Sequence, residues 1–546
     1  MLAFSLTAAL VPTLPALRQT SALQGPARAG EAEELVEVET VEEAVPEADA
    51  SSAPGGDPAT PQGPLDASTS RTTTRGSAST GRSGPGSPAA TQGGASVVGA
   101  CAERRSQVPG DPYSPACVSF SGDNGGATAT GVNRERIRVS ARMVAYPDFQ
   151  RPSVGGDIFL DDAQVRRTLS GLVDYFNSRF QFYGRKIEVA HFEGRGSFMA
   201  ETQGRGQEEV EADAIKVAQE LEVFAELNGY TAPFSAALSR RGIVNFGVPQ
   251  MSREWLTERR PFAWSPFTDC TSVVETVADY ISRRIAKRPA AHAGGALRGQ
   301  PRRIGVIAPE NPWYQECVKS ADRLLEAAGN PFDHHVSYRI DFTTLSNQAA
   351  SVIAKLKSDG VTTVVCGCDP VFPVFLSAKA SEQGYEPEWL VTGTGFTDLD
   401  AFGQLYDQSQ WSRAFGVSFA GAARAERAGS GYHAYKAIRN DEPSPIVEIL
   451  YSSLYLLALG IHQAGPNLTP ASFEQGMFAY PEATGASGTW SFGPGRYTPA
   501  RDAREIYWDP KRTSPANGKL GSYVETEPGK RRRAGEWPTG DPAVFR

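Results

Sequence analysis

From residue 134 onward, short runs of apolar, β-branched residues alternate with longer amphipathic stretches, the pattern of strands and covering helices around a parallel sheet. Residues 137–144 and 186–192 read as strands on either side of a helix over 162–180, in which Val165, Leu169, Leu172, Val173 and Phe176 recur on one face. A helix over 210–221, a strand over 223–227 and a strand over 242–248 that stops at Pro249 continue the series. A Gly-, Ala- and Arg-rich break at 289–303 ends it, and a second series follows: strand 303–308, helix 314–328, strand 334–340, helix 346–357, then strands 361–366 and 388–392. Two series predict two parallel sheets and therefore two α/β lobes.

At 546 residues the chain is longer than one hydrophobic core usually serves, and with 40% hydrophobic and 10% aromatic residues it can fill real cores. The formal charge of -8 is uneven: residues 1–100 hold five Arg against eleven Asp and Glu, a net -6, which leaves -2 for the remainder. A nearly neutral body without a basic stripe excludes nucleic acid as a partner. The one dense basic run, Lys530, Arg531, Arg532 and Arg533, reads as a solvated tail.

Residues 1–20 read as a signal segment, apolar over 2–17 but interrupted by Pro12 and Pro15 and lacking a positive start. Residues 21–100 read as a disordered linker: a Glu-rich run is followed by 50 residues of which 40 are Ala, Gly, Pro, Ser or Thr, a composition that cannot offset its ordering entropy. No stretch of about 18 apolar residues crosses the folded body. The expectation is an exported protein, extracellular or associated with the cell envelope.

Six cysteines suit an oxidising compartment. Cys101 and Cys117 bracket a Pro-rich segment that a disulfide would close, giving an N-terminal extension over 101–133. Val98-Gly99-Ala100 before Cys101 faintly resembles a lipid-attachment box, but the apolar helix that should precede it is absent. Cys270, Cys317, Cys366 and Cys368 allow three pairings that the sequence leaves open. Cys366-Gly367-Cys368 lacks CxxC spacing and a nearby His, so buried or disulfide-bonded thiols are expected there rather than zinc; His334-His335 reads as the start of a strand. No metal site and no cofactor is expected.

The chain contains no GxSxG, HExxH, P-loop or complete GxGxxG after a strand. Gly194-Arg195-Gly196 and Gly204-Arg205-Gly206 read as the ends of a flexible loop, and no catalytic residues are assigned. Parallel sheets bind ligands at the carboxyl ends of their strands, where this chain places Asn228, Tyr230 and Thr231, then Gln250 and Ser252, then Glu310, Asn311 and Tyr314. Hydroxyls, amides and aromatic faces of this kind hold small molecules, although Tyr230 and Tyr314 would equally cap the edges of their cores.

Three stretches, GDPYSPACVSFSGDNGGATATGV before the first strand, RIGVIAPENPWYQECVKSADRLL opening the second series and EIYWDPKRTSPANGKLGSY near the end, resemble the extracellular solute-binding proteins of branched-chain amino-acid type, receptors of ABC importers, in their actinobacterial form. The resemblance spans residues 101–546. It implies the type I periplasmic-binding-protein fold: two Rossmann-like lobes with parallel sheets joined by a three-crossing hinge, crossing near Pro266, Phe419 and Gly488. Lobe 1 would then comprise 134–266 plus 420–487, and lobe 2 would comprise 267–419 plus 488–546 with the C-terminal tail. A helix over 446–463 would pack back onto lobe 1. The resemblance also implies a small polar or amino-acid-like ligand, ABC permease subunits as partners, carboxylate-holding hydroxyls at Thr231 and Ser252 and an aromatic lid at Tyr314. This chain departs from the family at Cys368-Asp369-Pro370, where an aromatic is usual, and at Thr394-Gly395-Phe396, where an acidic partner for an ammonium is usual. Asp369 or Asp398 would take that partner's place, or the ligand lacks an ammonium. A ligand sensor and an enzyme are the alternative readings, the enzyme through a reactive Cys368 beside Asp369.

Overall fold

The computed structural model describes residues 105–145 and 161–545; the expected signal segment, the linker and Cys101 lie outside the described residues. The first sheet holds β1 (Arg136–Ala145), β2 (Lys186–Ser197), β3 (Ala225–Glu226), β4 (Val244–Phe246) and β5 (Ala263–Trp264), ordered β2-β1-β3-β4-β5. All four of its pairings are parallel. The second begins with β6 (Ile304–Pro309), β7 (His334–Tyr338), β8 (Thr363–Cys366), β9 (Glu388–Val391) and β10 (Ala414–Ser418). A small hairpin, β11 (Ala483–Gly485) with β12 (Gly488–Trp490), precedes β13 (Arg504–Thr513) and β14 (Leu520–Glu525), which extend the second sheet to the order β14-β13-β10-β9-β8-β6-β7. β6 to β10 pair in parallel, whereas β13 and β14 join antiparallel at the edge.

The local reasons are ordinary ones. All six residues of β6 are buried, as a strand covered by helices on both faces requires. The helix Asp162–Arg179 is capped by Asp161, whose carboxylate accepts from the Ala163 N–H at 2.9 Å, and it buries Val165, Leu169, Leu172, Val173 and Phe176. The helix Val447–Ala464 lies against it, with Leu450, Leu454 and Leu457 in the core that also holds Val139 and Phe176.

The chain changes lobe three times. After β5 it enters the second lobe, where Val273 and Val277 of the helix Cys270–Tyr280 share a core with Ile304 and Val306. After β10 it returns to the first lobe, and after β12 Phe492 and Tyr497 still belong to the first-lobe core while Ala503 belongs to the second. Arg531 clasps two of these crossings: Nη2 donates to the Phe419 carbonyl at 2.9 Å, Nη1 to the Ala420 carbonyl at 3.0 Å, and Nε to Asp502 at 3.0 Å. The basic run is therefore not a solvated tail. Arg531 is largely buried because carbonyls and Asp502 supply the partners that water would otherwise provide, and Arg532 because Glu527 does.

The N-terminal extension is tied to the hairpin. Tyr113 stacks on Trp490 with ring centroids 4.2 Å apart, donates to the Gly488 carbonyl at 2.8 Å, and its own carbonyl accepts from Tyr480 Oη at 2.7 Å. Cys117 is disulfide-bonded. The open pairings resolve as Cys270–Cys317 and Cys366–Cys368. Cys368 is thus no free thiol, which overturns its reading as a reactive partner of Asp369. No helix among the described residues is long and apolar enough to cross a membrane, and none of their His, Cys, Asp and Glu side chains gather in threes as ion ligands.

Candidate ligand cleft

At the carboxyl end of the first sheet the structure buries a charge cluster that the sequence reading missed. Arg142, on β1, holds Glu201 through two bonds of 2.6 and 3.0 Å and Asp213 at 2.8 Å, with its guanidinium 4.1 Å over the Phe234 ring. Burial opposes this charge, but the two carboxylates outweigh it and hold the guanidinium above its usual pKa. Glu226, at the end of β3, accepts from Ser140 Oγ, the Arg142 N–H at 2.8 Å and the Asn228 N–H at 3.0 Å; complete burial nevertheless pushes its carboxyl up. The two Gly-Arg-Gly triplets bound no flexible loop. β2 runs through Ser197 into a short helix, Phe198–Thr202, that delivers Glu201 to Arg142. A Cβ at Gly194 would lie 2.6 Å from Arg142 Nε, and one at Gly196 would collide with both Arg142 and Glu201, so glycine here permits close approach.

The expected site residues divide into three groups. Asn228, Tyr230 and Thr231 line a first-lobe cavity of ≈ 30 Å³ together with Arg142 and Phe198. Asn228 Nδ2 donates to the Arg142 carbonyl at 3.0 Å, while its buried Oδ1 has no hydrogen-bond partner among the described residues. The Thr231 hydroxyl is committed to Glu201. The Tyr230 ring lies on Gly247, where a Cβ would come within 2.5 Å of it.

Gln250, Tyr314 and Thr394 line a second cavity of ≈ 60 Å³ at the carboxyl ends of β6, β8 and β9. Burial, reinforced by Asp369, pushes the Tyr314 phenol well above its usual pKa and keeps it neutral. Gln250 and Phe396 both occupy the left-handed region, at φ 58° and 63°, a conformation that side-chain-bearing residues adopt at a cost.

The remaining four are engaged elsewhere. Ser252 caps the helix Arg253–Glu258 and donates to Glu316 at 2.8 Å. Glu310 is exposed and pairs with Arg339 at 2.7 Å. Asp369 accepts from Tyr338 Oη at 2.5 Å and from the Val371 and Phe372 N–H groups at 2.8 and 3.1 Å, where the helix Phe372–Glu382 begins. Burial raises its pKa, as it does for Asp398, which accepts from Ser418 at 2.6 Å. Phe396 meets Phe267 edge to face at 5.5 Å.

The lobes touch directly. Beyond the Ser252–Glu316 bond, Asn311 Nδ2 donates to the Thr202 carbonyl at 2.7 Å and Gln203 Nε2 to the Ile340 carbonyl at 2.7 Å. Met199 enters the second-lobe core beside Tyr338 and Ile340, and Trp313 packs against the first-lobe core. The short helix Phe198–Thr202 therefore engages both lobes at once, Glu201 on one side and Met199 on the other.

The family model described as "Periplasmic binding protein" matches residues 166–513, more than half of the chain. The chain belongs to this family. The periplasmic binding protein has no match among curated proteins. It is similar in structure to a solute-binding protein of an ABC transporter from Rhodopseudomonas palustris HaA2 in complex with p-hydroxybenzoic acid, at TM-score 0.51 and 12% identity, over 75% of this chain and 99% of that one. A second solute-binding protein, from Rhodopseudomonas palustris BisB5 in complex with 3,4-dihydroxybenzoic acid, gives TM-score 0.50 and 11% identity over 74% and 99% of the two chains. A branched-chain amino acid transporter substrate-binding protein from Streptococcus pneumoniae, in complex with isoleucine, gives TM-score 0.47 and 15% identity over 72% and 100%.

Proposed function

We propose that the protein is an exported, extracytoplasmic receptor of an ABC importer that encloses a small molecule between its lobes and delivers it, unaltered, to permease subunits. The observation that carries this reading is one cavity whose lining draws on both lobes, with Gln250 from the first and Thr394 and Tyr314 from the second. A ligand that touches both lobes favours the closed form, and closure is what a permease can recognise. The family membership and the similarity to hydroxybenzoate-bound receptors support binding over catalysis, and the bonded state of Cys368 removes the nucleophile that an enzyme reading had invoked. An amino-acid grip through Thr231 and Ser252 is weakened, since both hydroxyls already donate to carboxylates.

A thermal-shift screen of the purified protein against amino acids, aliphatic amides, small carboxylates and aromatic acids tests this. Ligand at 100 times its dissociation constant adds about 2.7 kcal/mol of stability, so one chemical class should raise the melting temperature selectively. A flat panel, repeated after removal of co-purified ligand, would count against the receptor reading.

A further inference from the structure

We propose that the second-lobe cavity behind Tyr314 seats a short aliphatic group, and that the ligand is a small uncharged molecule with one hydrogen-bonding head. This rests on the receptor reading and narrows it to a ligand class. The cavity lies between the second sheet and two helices, Cys270–Tyr280 and Pro312–Ala327, with Gln250 of the first lobe also in its lining. Val273 and Val277 line it from one helix, Val318 and Ala321 from the other, and Val306 and Val365 from the sheet. No charged side chain is part of its lining. The Cys270–Cys317 disulfide joins the two helices at the cavity wall, so they cannot separate or slide independently as the space fills.

Size sets the occupant. A dry cavity of roughly 150 Å³ takes benzene. At ≈ 60 Å³ this one suits a chain of a few carbons rather than a ring.

Polarity sets the head. At the mouth, the Gln250 amide makes no hydrogen bond to another described residue. Thr392 Oγ1 lies 3.0 Å from the Cys366 carbonyl and 2.9 Å from Thr394 Oγ1, which leaves the Thr394 hydroxyl capacity for one more partner. An amide and a hydroxyl together match a neutral group that both donates and accepts. No basic side chain lines the cavity to receive an anion, and the acids near it already accept hydrogen bonds, Asp369 from Tyr338 and the Val371 N–H, Asp398 from Ser418 and Glu316 from Ser252, so a neutral head suits it best. Gln250 is held in the left-handed region at this mouth, as expected where the surroundings dictate the position of a functional side chain.

The test is a ligand-observed NMR titration of the full chain with the primary amides from acetamide to pentanamide, alongside butanoate and L-leucine. Each added methylene should tighten binding about fourfold until the cavity is full. Butanamide should bind at least tenfold better than butanoate or leucine, and Ala321→Leu, checked for a cooperative melt, should flatten the dependence on chain length. No dependence on chain length in the wild type, preference for the charged compounds, or no binding of any amide would each overturn the proposal. A hit from another class in the broad thermal-shift screen would then leave the receptor reading standing and this one refuted, while a flat broad screen would count against both.

Discussion

Arg142 pairs with two buried carboxylates in the first lobe, and its removal would leave Glu201 and Asp213 buried without a counter-charge. Arg142→Met should cost about 3–5 kcal/mol in urea unfolding; a loss below about 1 kcal/mol would show that water reaches the cluster. His191, on β2 near Ser170 and Arg166, has its pKa lowered to about 4 by burial and then by the Arg166 charge. A base with a lowered folded pKa contributes stability that is present above the ordinary histidine value near 6.5 and is lost as pH falls toward 4. His191→Gln should therefore lose less stability than wild type between pH 7 and pH 4.5, and equal losses would contradict this assignment. At this scale the sequence was a partial guide. Tyr314, Gln250 and Thr394 could be placed near a strand-end cavity because they follow recognisable strands, whereas Arg142 sits inside the run RIRVSARMVA, where nothing local distinguishes a buried guanidinium from an exposed one. Gly194 and Gly196 were the available signal, read as flexibility when their small size was the point.

Elements with a long apolar period were legible, and those held by tertiary contacts were not. The helices Asp162–Arg179 and Val447–Ala464 announce themselves by spacing, but β3 and β5 are two residues each and exist only because neighbouring strands position them. The Lys530–Arg533 run misleads for the same reason, since the carbonyls and carboxylate that bury Arg531 are distant in sequence. Two elements invite direct tests. The Cys270–Cys317 bond spans a separation of 47 residues, so its double Ser variant should lose about 4 kcal/mol by chain entropy, measured as the midpoint shift in denaturant. The helix Phe198–Thr202 bridges the lobes through Met199, so Met199→Ala should weaken ligand binding more than it weakens the first-lobe fold. Equal effects on both would show that the helix supports folding rather than closure.

For the whole molecule, two lobes read from two strand series became two sheets joined through three crossings, and the sequence could not show how Arg531 fastens the crossings together. Cavities at the strand ends were legible as places but not as a chemistry, because the Thr231 and Ser252 hydroxyls that looked available already donate to carboxylates. Tyr314→Ala should weaken ligand binding at least tenfold in calorimetry, since its ring lines the cavity; unchanged affinity would place the ligand elsewhere. The direct bonds Ser252–Glu316, Asn311–Thr202 and Gln203–Ile340 hold the lobes in contact, as a receptor that works by closure requires of its closed form. Small-angle X-ray scattering of the protein, stripped of ligand and then saturated with the compound that raises its melting temperature, measures this most directly. The radius of gyration should fall on saturation as the lobes meet, and an unchanged radius with the ligand bound would contradict a receptor that works by closing.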